Sequence, residues 1–314
     1  MKRLIPQISE QQEAILTVIC YYEVFSHPLT AEEIKKNLPV LISEENFAED
    51  LKELLTECLL SCHEGFYFLS ANEKSIVGQR FKKEALAQKM WKKAAFFSKL
   101  IGAFPFVKSV CISGYLSKGV IDEKGDIDYF IITDSSRLWI CRSFLILFKK
   151  IFLFNSHKYF CTNYFVDVNN LEIPDRNIFT ATEVSHLIPV VNYKSFEEFI
   201  SVNEWVNEYF PNKNIRLEEN CLPESKNSLK RFSEFILSGK LGESLDNAFF
   251  RLTLKRWQKK FPQFSREDFD LNLRTRKNVS KHHPRGYQQK VLKAQEEELL
   301  SLAESMKNKL AVVA

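Results

Sequence analysis

The stretch 110–133, VCISGYLSKGVIDEKGDIDYFIIT, limits the possible folds of this chain more than any other segment. An apolar run ends at Gly114, a polar loop follows, and a second apolar run opens with Asp126 and Asp128. Side chains two residues apart leave a strand on the same face, which puts these carboxylates about 7 Å apart along it. With Ile127, Phe130, Ile131 and Ile132 around them, two such acids are costly unless a cation compensates them. The glycine turn adds backbone N–H groups that approach an anion with no Cβ in the way. A divalent cation and a phosphate ester at one sheet end are the chemistry this pattern suits. The plainer alternative is that Asp126 ends the loop 120–125 and Asp128 faces solvent on an edge strand.

A chain of 314 residues suggests two or three modules, and 27 phenylalanines argue for packed interiors over disorder. The seven cysteines are scattered and odd in number, and Cys58 and Cys62 have no second pair at zinc-site spacing. Free thiols in a reducing cytoplasm are expected, which makes the localisation expectation cytoplasmic. The N-terminal Met1-Lys-Arg-Leu leads straight into a polar run with no secretory pattern. Leu138–Phe154 is the most apolar segment, but Arg142, Lys149 and Lys150 interrupt it, so a buried helix is expected rather than a membrane span.

The first part of the chain reads as three helices and a hairpin. Ser9 caps a helix running to about Val24, Thr30 caps Ala31–Asn37 with Glu33 in the capping-box position, and Ser43 opens Glu44–Leu60. His63-Glu64-Gly65 is the expected turn between Leu59–Cys62 and Phe66–Ser70. This order is that of a winged-helix module, over residues 1–72. Its third helix carries Glu44, Glu45, Glu49, Asp50, Glu53 and Glu57 against Lys52, a face that phosphate repels, so packing or protein contact suits it better than DNA reading. A helix over 71–100, the strands Phe106–Ser113 and Tyr159–Val168, and a helix over 138–154 build a central unit, residues 73–190. Helices at 196–210, 229–237, 244–260 and 287–310 then make residues 191–314 a helical C-terminal domain.

Ser113-Gly114-Tyr115, ten intervening residues and Asp126-Ile127-Asp128-Tyr129 together resemble the signature of the nucleotidyltransferase superfamily typified by DNA polymerase β. The resemblance is strongest over 92–168 and particularly resembles bacterial nucleotidyltransferase-domain proteins with an N-terminal winged helix. It implies an α+β fold with a small mixed sheet. It also implies transfer of a nucleoside monophosphate from a nucleoside triphosphate to a hydroxyl, with pyrophosphate as leaving group. Asp126 and Asp128 would then hold Mg²⁺ or Mn²⁺. The family's third carboxylate would be Asp167, with Glu172 and Glu183 as weaker alternatives. Apart from that role, Asp167 can also be an aspartate that starts the turn after its strand. Ser113, Gly114, Tyr115, Ser117 and Lys118 would hold the phosphates, and Arg137 and Arg142 could contact them. Tyr115 stands where the family usually has a serine, and Gly125 where a serine often precedes the first aspartate. Those departures favour a second possibility, a catalytically silent nucleotide-sensing protein.

Charge is unevenly spread. Residues 1–211 carry 23 Lys/Arg against 27 Asp/Glu, and residues 212–314 carry 21 against 13. The excess centres on 251–293 and includes the run RTRKNVSKHHPRG, with Arg274, Arg276, Lys277, Lys281, His282, His283 and Arg285. Lys281, His282 and His283 are the expected anion clamp; a solvated loop before the last helix is the alternative. Either way the excess could attract a polyanion, such as an anionic acceptor or a nucleic acid. A third possible role is therefore a nucleic-acid-associated regulator. The acceptor, the base preference and the oligomeric state have no readable code.

Overall fold

The computed structural model describes residues 8–69, 75–215 and 221–313, with side chains to residue 307. The expected hairpin end at Ser70, the helix start at Ala71, and the side chains at the end of the last helix lie outside the described residues. Ser9 accepts from the Gln12 N–H and Gln12 reaches back, a full capping box for α1 (Glu10–Glu23). Thr30 ends β1 (Leu29–Thr30) and makes the same box with Glu33 for α2 (Ala31–Lys36). Ser43 caps α3 (Glu44–Thr56). β2 (Leu60–His63) and β3 (Phe66–Leu69) pair antiparallel, and β1 joins the far side of β3. The long α4 (Ser75–Gly102) is tied to these elements by Arg80, which is buried. Its Nη2 donates to Glu33 at 2.6 Å, its Nε to Glu84 at 2.7 Å and its Nη1 to the Pro28 carbonyl at 2.9 Å.

The central elements are β4 (Val107–Ser113), α5 (Gly114–Ser117), β5 (Asp128–Thr133), α6 (Leu138–Phe152) and β6 (Cys161–Asp167). They continue with α7 (Ile178–Ser185), β7 (Ile188–Val191) and α8 (Tyr193–Val202), followed by a short 3₁₀ segment over Glu204–Glu208. Then come α9 (Ser228–Leu237), α10 (Lys240–Lys260), α11 (Arg266–Leu273), β8 (Thr275–Arg276), β9 (Val279–Lys281) and α12 (Tyr287–Val313). The fold is α+β, built on a mixed sheet of order β7-β4-β5-β6-β9-β8. Among the strands of the described residues, β5 and β6 alone pair with each other in parallel; β7, which contains Pro189, lies at an edge, where a missing N–H is tolerated.

Strand alternation divides the interior. Val110, Ile112, Tyr129, Ile131 and Phe165 point to α4 and α6, packing on Ala94, Ile101, Trp139 and Leu145. Cys111, Phe130, Ile132 and Val166 point the other way, to Ala181, Phe196 and Phe199 of α7 and α8. Helices thus cover both faces, and the apolar β5 is buried on both. Among the described residues, no helix is long and apolar enough to cross a membrane.

The C-terminal segment departs from the expected separate helical domain. β8 and β9 add two strands to the central sheet, and α12 packs Val291, Ala303 and Met306 into the core of α1 and α3. The expected boundary at residue 191 therefore does not separate packing units. The expected helix over 196–210 is broken into α8 and the 3₁₀ segment by Asn203. Its amide binds the Leu171 and Phe199 carbonyls while its oxygen accepts from the Ile173 N–H.

Candidate functional site

Gly114 shapes the centre of the site. Its φ of +68° ends β4 and starts α5, a conformation that side chains disfavour. A Cβ built there would lie 2.6 Å from Oδ2 of Asp128, so the glycine also makes room for that carboxylate. Asp128 is the first residue of β5, paired across the sheet with Ser113 on one side and Cys161 on the other. Asp126 lies in the preceding loop rather than in the strand. Gly125 keeps that loop tight: a Cβ would meet Ile121 Cγ1 at 2.7 Å and the Asp122 carbonyl at 3.0 Å.

Ligand atoms of Asp126, Asp128 and Cys161 all lie within 4.8 Å of one another. Asn163 donates to Asp128 Oδ1 at 2.6 Å and accepts from the Cys161 thiol at 3.2 Å. Burial first, and Asp126 second, push the Asp128 carboxyl up to about 8. Burial and the two carboxylates also push the Cys161 thiol up, so it remains an S–H donor in the metal-free protein. The carboxylate pair is a fitting donor set for a hard divalent cation. A protonated thiol in the third position is not, so Mg²⁺ or Mn²⁺ would rest on the two carboxylates, with no third acid beside them on β6.

A cavity of about 110 Å³ opens beside this cluster, lined by Ser113, Gly114, Asp128, Asn163, Glu183 and Lys281 among others, over an apolar floor that includes Phe130 and Val184. Lys118 donates to Glu183 at 2.7 Å and to the Gly114 carbonyl at 3.2 Å, which holds an ammonium at the mouth of the glycine turn. Ser117 spends its hydroxyl on the Gly114 carbonyl at 2.9 Å. Tyr115 turns its ring edge-on to Phe25, 6.4 Å between centroids, and stays 45% exposed.

Three expected site residues are elsewhere. Asp167 lies at the opposite end of β6, beside Thr133, while the residue next to Asp128 is Cys161. Its carboxylate accepts the Ser136 and Asn169 N–H groups, so it starts a turn and is not a third ligand. Arg137, at that same far end, is spent on the Leu237, Ser238 and Gly239 carbonyls. The expected clamp splits because successive residues after β9 alternate faces. Lys281 and His283 line the cavity, whereas His282 packs at a tilt on Trp257 with centroids 4.7 Å apart. Of the weaker third-acid alternatives, Glu183 reaches the cavity and Glu172 pairs with Arg176.

Much of the basic run is neutralised. Arg274 makes a bidentate pair with Asp175, Arg276 binds Asp270, Lys277 binds Asp246 and Lys281 binds Asp175. Cys161 was missed by sequence reasoning because its place depends on strand register, which no local pattern displays. Comparisons with family models, with curated proteins and with solved structures find no match for the chain.

Proposed function

We propose that this chain is a divalent-cation-dependent nucleotidyltransferase that moves a nucleoside monophosphate from a nucleoside triphosphate to a hydroxyl acceptor. The carrying observation is the seating of the Asp128 carboxylate against the glycine turn, with Asp126 within ligand distance and a cavity alongside. In this reading the acceptor oxygen bonds to the α-phosphorus, the bond to the pyrophosphate oxygen breaks, and the hydroxyl proton passes to water. When bound, the cation supplies charge stabilisation and a more acidic acceptor hydroxyl. Asp126 and Asp128 hold it, the Gly114 turn and Lys118 bind the phosphate tail, and the cavity takes the apolar part of the nucleotide. Catalysis is then mainly positioning and electrostatics. The three helices and three-stranded sheet at the N-terminus support a winged-helix-like module, whose exposed, acidic α3 suits protein contact rather than DNA.

Protein, Mn²⁺ or Mg²⁺, labelled triphosphates and a panel of hydroxyl acceptors should release pyrophosphate. Asp128→Ala should abolish that release; activity that survives the substitution removes the mechanism. One observation favours a second reading, nucleotide sensing without turnover: the residues beside Asp128 on β6 are a thiol and an amide rather than a third acid. Calorimetric binding of triphosphate, with no turnover across the panel, would select it.

A further inference from the structure

Most cations of the basic run have acid partners, but two buried cations on α6 have none among the described residues. Arg142 is 8% exposed, and its guanidinium has no hydrogen bond or ion pair to any described residue. It lies 4.8 Å from the Trp257 ring and 5.6 Å from the Trp139 ring. Lys149, two turns further on and 6% exposed, has one partner, Nδ1 of His157 at 3.3 Å. An imidazole does not neutralise an ammonium. No Arg142 nitrogen is among the fully enclosed unpartnered polar atoms, so the guanidinium reaches solvent, and an anion arriving there meets two cations of one helix face that no acid of the described residues pairs. Burial pulls Arg142 down to about 9, with Arg256 adding to the effect.

Further cations gather around this pair. Arg256 and Lys260 stand one turn apart on the flank of α10 beside Trp257, and both are exposed. His282 packs at a tilt on Trp257 and feels Arg142, Lys260 and Lys149. Asp126 acts on Lys149 as a counter-charge, outweighed by burial. The group also adjoins the cluster of acids: His157 Nδ1 is 3.7 Å from the Cys161 sulfur, and the His282 N–H donates to the Asn163 carbonyl at 3.0 Å. Asn163 in turn binds Asp128. The glycine turn, Lys118 and the cavity hold other positions around Asp128, so this is a separate approach to the same carboxylates.

We propose that Arg142 and Lys149, with Arg256 and Lys260 at the entrance, bind a phosphate group carried by the acceptor. The anion site stands on the unpaired cations; its assignment to the acceptor rests on the transferase reading. Contact with two indole rings restrains the Arg142 guanidinium, whose planar N–H fork suits a phosphate. The phosphate belongs either to a small phosphomonoester or to the backbone of a nucleic-acid strand.

The test is binding to the full chain in EDTA without any triphosphate, so its outcome does not depend on nucleotidyl transfer. Inorganic phosphate and a short single-stranded oligonucleotide are titrated separately, followed by calorimetry and by tryptophan fluorescence, since Trp139 and Trp257 flank Arg142. At least one probe should bind, and Arg142→Met and Lys149→Met should each weaken it about tenfold or more. Arg256→Gln with Lys260→Gln, both exposed, should weaken it a few-fold, which keeps the test decisive if a buried variant misfolds. Lys118→Met should leave this binding unchanged. An oligonucleotide affinity falling with log salt at a slope of about −0.7 per phosphate contact, over several contacts, identifies a strand. Tighter binding of free phosphate identifies a small phosphomonoester. Failure of both probes to bind, wild-type affinity in the Arg142, Lys149 and Arg256/Lys260 variants, or loss of binding in Lys118→Met overturns the proposal.

Discussion

Cation binding to this site should release a proton, and the amount can be worked out from Asp128. Burial and Asp126 hold its carboxyl at about 8 in the metal-free protein, against an ordinary 3.8. At pH 7 a group of that pKa is about nine-tenths protonated, and at pH 9 about one-tenth. A cation requires the carboxylate, so Mn²⁺ should displace about 0.9 proton at pH 7 and about 0.1 at pH 9. Its apparent affinity should rise close to tenfold per pH unit below pH 7 and level off above pH 8.5 or so. The stability consequence has a definite sign. A carboxyl raised on folding is neutral in both states below pH 3.8, and its contribution is lost as pH climbs through 8. The full shift corresponds to at most about 6 kcal/mol, and the partial solvent contact of Asp128 lowers this to a few kcal/mol. Calorimetry in two buffers of different ionisation enthalpy counts the protons, and Asp128→Asn should abolish both the release and its pH dependence. A release near zero at pH 7, or one that is constant from pH 6 to 9, refutes the assignment of this carboxyl to the cation.

Other substitutions probe the frame around that group. Gly114→Ala combines a φ of +68° with a Cβ 2.6 Å from Asp128 Oδ2, so denaturant unfolding should show a loss of about 1–2 kcal/mol and Mn²⁺ titration a weaker site; an unchanged site refutes the close approach. Arg80→Met leaves Glu33 and Glu84 without their buried partner, and because both acids are near one-third exposed the expected loss is about 2–3 kcal/mol in a chemical melt. A melt unchanged in midpoint would mean that Arg80 does not anchor α4 to the N-terminal helices. Cys161→Asp places a third acid within ligand distance, so Mg²⁺ affinity should rise about tenfold or more by calorimetry while the metal-free protein melts lower at pH 8; an unaltered Mg²⁺ affinity removes position 161 from the donor set.

What was legible locally in the sequence concerns bonds made within a few residues. Ser9, Thr30 and Ser43 read as helix caps because each bonds the N–H three residues on, and each does so in the structure. The turn at Gly114 was likewise legible, because a glycine adopts its φ of +68° without the strain a side chain brings. Asp167 was misplaced because alternation tells which face a residue occupies but not how far along its neighbour it lies. In the parallel β5–β6 pair the register, together with a bulge after Tyr129, sets Cys161 opposite Asp128 and moves Asp167 to the other end of the sheet. The β8–β9 arm was hidden for a related reason: three residues of β9 in a charged run are too few for an apolar period to show.

Charge gave the least direct guide, and the reason is energetic. A count of basic residues at 274–285 measures attraction only if the charges face solvent unpaired. There the acids that cancel them come from as far away as Asp175 and Asp246, and a bidentate partner at 2.8 Å removes most of the field a phosphate would feel. Arg142 and Lys149 look, in sequence, like interruptions of an apolar helix whose stems could carry the charge outward. The fold instead packs Trp257 of α10 over Arg142, with His282 beside that indole, and no acid among the described residues pairs with Arg142, so a cation inconspicuous in the sequence carries an unmet demand for an anion. The position of that demand beside Asp126 and Cys161 matters more than its size. A cation pair set against a carboxylate pair can hold an anion and a metal ion together, the charge arrangement that an in-line transfer between two phosphate-bearing partners requires.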